Sequence, residues 1–189
     1  MKEKIRKILS QHEKKQVIDL NAVPSAVLIA IFEKNGEDHI LFTKRTDTVE
    51  HHKGQISFPG GRRDIEDENL LQTALRESYE EVGIRPEDVE IVGDLDDEKT
   101  HVSNYVISPY VGFIPYPYPF KTSPEEVEQL LEIPISALID KANFRQEIQT
   151  SGEKRYRAYF YYYGDDVIWG ATSRILKRFF NLVCAGMKS

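Results

Sequence analysis

Arg76-Glu77-Ser78-Tyr79-Glu80-Glu81-Val82-Gly83-Ile84 is the stretch whose reading decides the fold. Wound as a helix, Leu71, Ala74, Leu75, Ser78 and Val82 share an arc of about 80° and form the packing side. Glu77, Glu80 and Glu81 share about 100° elsewhere on the helix, so three carboxylates converge where packing does not need them. Such like-charge neighbours weaken an isolated helix by about 0.2–0.5 kcal/mol per pair, a repulsion that a cation removes. Carboxylates with no Cys or His beside them suit Mg²⁺ or Mn²⁺ rather than Zn²⁺. A solvated acidic face would show the same spacing. The surroundings favour the metal reading: Gly60-Gly61 precedes the helix, Asp64, Glu66, Asp67 and Glu68 fill the connection, and Gly83 ends it. Exposed backbone at Gly60-Gly61 can bring a carbonyl to a metal or amides to a phosphate.

Outward from this segment, the pattern predicts a helix over Leu70 to Val82, capped by Asp67 or Asn69 and stopped by Gly83. Upstream, Ala26–Phe32 is an unbroken apolar run, the signature of a strand buried on both faces. The turn residues 34–38 link it to a second strand, His39–Thr43. Gln55–Phe58 reads as a short strand broken at Pro59-Gly60-Gly61. Downstream, strands are expected at Val89–Val92, Tyr105–Ile114, Phe144–Gln149 and Tyr156–Tyr163, the last two joined by Ser151-Gly152-Glu153. Ser123-Pro124-Glu125-Glu126 reads as a helix start. A short helix is expected at Ile135–Ile139, and a final helix from Ala171 to Cys184. Cys184 is expected to be a small buried hydrophobe and Trp169 to pin that helix to the sheet. Residues 2–14 suggest an amphipathic helix that caps the domain. Strands before, between and after helices give an α/β fold with a mixed sheet covered by helices.

The chain has 189 residues, enough for one domain over 1–189 with residues 1–15 as an N-terminal cap. Lys plus Arg is 25 and Asp plus Glu is 31, a net charge of −6. That balance argues against a nucleic-acid partner, whose backbone is gripped by clustered cations. It still permits an anionic small molecule held through metal ions. One cysteine excludes a disulfide framework. No apolar run approaches the ~20 residues of a membrane span. These features are those expected of a reduced, cytoplasmic protein without a membrane partner; they leave monomer and homodimer both open.

Gly61…Glu68-x7-Arg76-Glu77-Ser78-Tyr79-Glu80-Glu81-Val82-Gly83-Ile84 resembles the Nudix box, G-x5-E-x7-R-E-U-x-E-E-x-G-U. Six residues separate Gly61 from Glu68 where the general box has five, a spacing familiar in the coenzyme A pyrophosphatase branch. The segment upstream is similar to that branch too: Leu41, Thr43, Arg45, Gly54, Phe58, Pro59, Gly60 and Gly61 match its pattern. Thr46 replaces Ser or Ala, and Glu50 stands where the pattern carries Arg.

The resemblance implies a Nudix-like α/β/α sandwich with the metal-binding box on a loop-helix-loop. It implies metal-dependent hydrolysis of the diphosphate bridge of coenzyme A or its thioesters, giving 3′,5′-adenosine bisphosphate and 4′-phosphopantetheine or its acyl form. Glu77, Glu80, Glu81 and Gly61 would hold Mg²⁺ or Mn²⁺, with water as nucleophile. Glu126 is a distal candidate for the general base, and Arg45, Gly60, Gly61 and Arg62 are candidate substrate contacts. Arg45 would read the 3′-phosphate, Arg76 would hold a glutamate by a bidentate ion pair, and Glu68 would support. Lys44, Lys53 and Arg63 add nearby charge, and at most one of His51 and His52 would touch substrate. The Tyr159–Tyr163 run reads as packing. Two alternatives share these residues: a Nudix diphosphatase for ADP-ribose, dinucleotides or nucleoside triphosphates, and a ligand-sensing domain without turnover. The intact glutamates disfavour the second.

Overall fold

The computed structural model describes residues 1–46, 54–100, 103–151 and 154–186. At its centre is β1 (Val23–Lys34), the apolar run of the sequence. Leu28, Ala30 and Phe32 enter one buried cluster while Ile29 and Ile31 enter another, as side chains alternating across a two-faced strand must. β1 pairs antiparallel with β2 (Glu37–Arg45) across the Asn35-Gly36 turn and parallel with β7 (Tyr105–Phe113). Towards its N-terminal end it takes β4 (Gly60–Arg62), also antiparallel. β3 (Ile56–Ser57) and β8 (Val127–Pro134) join β2, while β5 (Glu90–Asp94) and β6 (Glu98–Lys99) join β7. The result is one eight-stranded mixed sheet.

Helix α2 (Leu70–Val82) covers the face of Leu28, Ala30 and Phe32. Asn69 caps it, accepting from the Gln72 amide, and Gly83 terminates it at φ 75°. The other face is covered by α4 (Gly170–Gly186), by α1 (Lys2–Leu9) and by a three-stranded sheet. That sheet is β9 (Phe144–Ser151), β10 (Lys154–Tyr163) and β11 (Asp166–Ile168). A short helix α3 (Ile135–Ile139) follows β8. The α/β sandwich with a mixed central sheet is therefore the one expected. Among the described residues, no helix is long and apolar enough to cross a membrane.

Several local expectations are corrected. Residues 124–126 form a turn, not a helix start, and the chain continues directly as strand β8. Ser123 donates its amide to the Glu81 carbonyl (2.9 Å) and accepts from the Val127 amide (2.9 Å). Pairing of Val127–Pro134 with β2 then overrides the local helix signals. The Pro59-Gly60-Gly61 break runs straight into strand β4, and α1 stops at Leu9. Cys184 is exposed, on the outer side of α4. Trp169 is 49% exposed and lines a cavity instead of pinning a helix. Glu50, His51, His52, Lys53, Gly152 and Glu153 lie outside the described residues.

Candidate active site

The helix that carries the three glutamates is anchored by Arg76. Its Nε and Nη2 donate to Asp67 Oδ1 and Oδ2 at 3.0 and 2.9 Å, a parallel two-bond pair. Asp67 is 3% exposed and accepts two further bonds, from Thr73 Oγ1 (2.8 Å) and the Asp64 amide (2.9 Å). The guanidinium holds the Asp67 carboxyl well below the usual carboxylate range. Arg76 thus pairs bidentately with an aspartate, not with a glutamate. Among the described residues, Glu68 makes main-chain bonds only: its amide donates to Gln72 and its carbonyl accepts from Arg63. Asp67 was missed as the anchor. The signal was present, since five residues separate Gly61 from Asp67, but that alignment leaves eight before Arg76 where the box has seven.

Arg76 Nη1 also donates to Glu77 (2.8 Å) and Glu80 (3.0 Å). The three glutamates then part company. Glu80 is held on the outer surface, its side chain 55% exposed, and does not line the cavity. Glu77 and Glu81 do. Glu81 is almost wholly buried, although the sequence placed it away from the packing side. Its carboxylate accepts from the Gly60 amide (3.2 Å) and lies 3.7 Å from Arg45 Nη1. Burial with so little compensation pushes its pKa up to about 8, opposed by the Gly60 amide and Arg45 and reinforced by Glu126 and Glu77. Burial raises Glu77 as well, with Arg76 opposing and Glu80 and Glu126 adding to the rise.

The glycine pair sets this geometry. Gly60 has φ 147°, and a Cβ there would strike the Ala26 carbonyl and Val27. A Cβ on Gly61 would collide with the Glu77 carboxylate. Only a bare backbone lets β1, β4 and α2 approach closely enough for Glu77 and Glu81 to reach over the strand edge.

The carboxylates open into a cavity of about 830 Å³ with two unlike walls. On one side are Gly60, Gly61, Arg62, Glu77, Glu81 and Arg45, with Glu126 at an exposed position just before β8. β1 and β7, next to β4 in the same sheet, floor it with Ser25, Val27, Tyr105 and Ile107, and beyond them stand Tyr156, Ala158 and Phe160 of β10, then Trp169 and Arg174. Of the Tyr159–Tyr163 run, Tyr161 is buried and Tyr159 stacks on Phe144, which is packing. Tyr159 and Phe160 also reach the cavity. Lys44 pairs with Asp166 (3.0 Å), and Arg63 bonds to the Asp67 and Glu68 carbonyls; neither lines the cavity.

A divalent cation fits the charged wall. Its donors are hard oxygens, and burial raises the Glu81 carboxyl well above the ordinary glutamate range, a cost that a cation beside it offsets. Among the described residues, no three His, Cys, Asp or Glu side chains close on one point, and Glu80 is turned to the exposed surface. Also among them, the buried Arg45 Nε has no hydrogen-bond partner.

A family model described as the NUDIX domain matches residues 22–149. The uncharacterized Nudix hydrolase NudL of Photorhabdus laumondii is 34% identical over 152 residues, which is 80% of this chain and 80% of that protein. The protein of the same name from Yersinia pestis is 37% identical over 154 residues, 81% of this chain and 76% of the relative. Among solved structures, a MutT/nudix family protein from Enterococcus faecalis superposes with a TM-score of 0.60 at 15% identity, covering 93% of this chain and 66% of that one. This last likeness bears on the fold alone.

Proposed function

The chain belongs to the Nudix hydrolase family, an enzyme family acting on phosphoric anhydrides, and from that premise we propose that it hydrolyses the diphosphate bridge of coenzyme A or its thioesters. One observation carries the substrate reading. Arg45, Phe58, Gly60 and Gly61, from the upstream motif, line the same cavity as Glu77 and Glu81. That cavity pairs a charged wall with an aromatic and apolar one, matching a long substrate with a diphosphate in its middle.

Glu77 and Glu81, with backbone from Gly60-Gly61, would hold Mg²⁺ or Mn²⁺. A bound divalent ion supplies charge neutralisation at the diphosphate and a more acidic attacking water. The protein's own groups do the rest. Arg76 fixes Glu77, so that carboxylate needs no reordering as substrate arrives. Arg45 reaches the diphosphate beside Glu81 and offsets charge gathering there. Glu126 lines the cavity beside Glu77 and Glu81, close enough to raise both carboxyls, and accepts the proton of the attacking water. Glu80, on the outer surface, tethers Arg76 and shapes the field at Glu77.

The test is a substrate panel of coenzyme A, acyl-coenzyme A, ADP-ribose, dinucleotides and nucleoside triphosphates, with products resolved by mass. Coenzyme A should yield 3′,5′-adenosine bisphosphate. EDTA should stop turnover and Mg²⁺ or Mn²⁺ should restore it. A wild-type preference for ADP-ribose or a dinucleotide would overturn the substrate reading.

A further inference from the structure

We propose that Arg174 binds a phosphomonoester carried by the substrate away from its diphosphate. The proposal rests on the coenzyme A reading, in which the ribose 3′-phosphate is such a group. Among the described residues, three arginines line the cavity: Arg45, Arg62 and Arg174. Arg45 lies against Glu81, and Arg62 follows Gly61 in β4, so both serve the end where Glu77 and Glu81 gather. Arg174 enters from α4, on the opposite wall, near Trp169 and Tyr156.

Its setting is that of a prepared anion site. Arg174 Nε donates to Glu98 Oε1 at 2.6 Å. Glu98 is buried on β6, and its second oxygen accepts from Arg178 Nη2 at 3.0 Å. Arg178 is held in turn by the Asp96 and Asp97 carbonyls at 2.9 and 3.2 Å. One carboxylate therefore serves two guanidiniums, and the trio keeps one positive charge. Among the described residues, Arg174 has no polar partner besides Glu98. With Nε fixed, the Nη1–Nη2 edge is left for two parallel bonds to a phosphate. A phosphomonoester is close to doubly charged at pH 7. The carboxylate-rich end would repel it, whereas the Arg174 wall offers a cation already oriented. Glu98 acts as a positioning residue and Arg174 makes the contact.

Calorimetry in chelator, with 3′,5′-adenosine bisphosphate and 5′-AMP as probes, tests this without turnover. Wild type should prefer the bisphosphate by about 10- to 100-fold, the range of a charge-assisted two-bond contact. In R174A that preference should fall to below about 3-fold while 5′-AMP affinity holds. R174Q, whose amide can still donate to Glu98, should lose the preference equally and serves if R174A does not fold. E98Q should weaken the preference with a smaller effect. A bisphosphate preference that survives in the folded Arg174 variant, or is missing in wild type, overturns the proposal. Coenzyme A turnover on the same preparations separates the two readings. No turnover with an Arg174-dependent preference sinks the substrate reading and keeps this site. Turnover with an Arg174-independent preference does the reverse.

Discussion

The two walls of the cavity are built on opposite principles. The charged wall comes from residues 60–81 plus Arg45, and its side chains are held by a chain of hydrogen bonds: Arg76 to Asp67, Glu77 and Glu80, and the Gly60 amide to Glu81. The far wall gathers β10, α4 and the residue leading into it, and presents Tyr156, Tyr159, Phe160 and the half-exposed Trp169. The first wall concentrates charge and rigidity where a bond is to be broken. The second offers contact area. Substitutions in the first should change rate or stability severely, while those in the second should change affinity moderately.

The sharpest probe of this contrast is Glu81→Gln. It should lower kcat by at least ~10²-fold, because metal-assisted catalysis is worth several kcal/mol. The same variant should melt no lower than wild type in metal-free buffer at pH 8. In the folded chain Glu81 ionises near pH 8, well above an ordinary glutamate, so ionising it in place opposes folding and an amide removes that penalty. Near-normal turnover would break the assignment of this wall to catalysis.

Arg45→Ala comes next. Because Arg45 lies against Glu81, it should lower kcat/KM by about 10- to 100-fold on coenzyme A and on dephospho-coenzyme A alike. A loss confined to coenzyme A would give Arg45 the role proposed for Arg174.

Asp67→Asn tests rigidity in place of chemistry. Breaking a buried ion pair typically costs about 3–5 kcal/mol, reduced here to about 2–3 because the Arg76 side chain is 24% exposed. The melting temperature should fall by about 5–10 °C in a domain of this size. The pH dependence has a fixed sign. Asp67 is depressed in the folded state, so its contribution is complete above about pH 4, the ordinary aspartate range, and fades as pH falls towards the lower folded value. The stability gap between wild type and variant should therefore narrow below about pH 4. Glu68→Gln should shift the melting temperature by less than about 2 °C, since only the main chain of Glu68 is engaged.

The smallest effect is expected from Trp169→Ala. Loss of one half-exposed aromatic contact should raise KM about 2- to 10-fold with kcat and melting temperature nearly unchanged. A large fall in kcat would mean that the far wall also orders the reacting centre.

What could be read from the chain alone was local. The two-faced strand β1, helix α2 with its Gly83 stop, and the short helix Ile135–Ile139 follow from periodicity and caps within a few turns of chain. The charged wall was legible for the same reason: Gly60, Gly61, Glu77 and Glu81 sit within 22 residues, on one short strand and the helix that follows it. Choices between near neighbours were not. Asp67 rather than Glu68 meets Arg76, and Glu81 is buried while Glu80 is exposed, because strand β4 and Arg76 select among carboxylates of equal local merit. Ser123-Pro124 carries helix signals, yet β2 draws the following residues into a strand. The far wall had no local signature. Glu98 and Arg174 meet across 76 residues only because α4 packs against β6, and such a pairing depends on burial and partner geometry that no window of sequence contains.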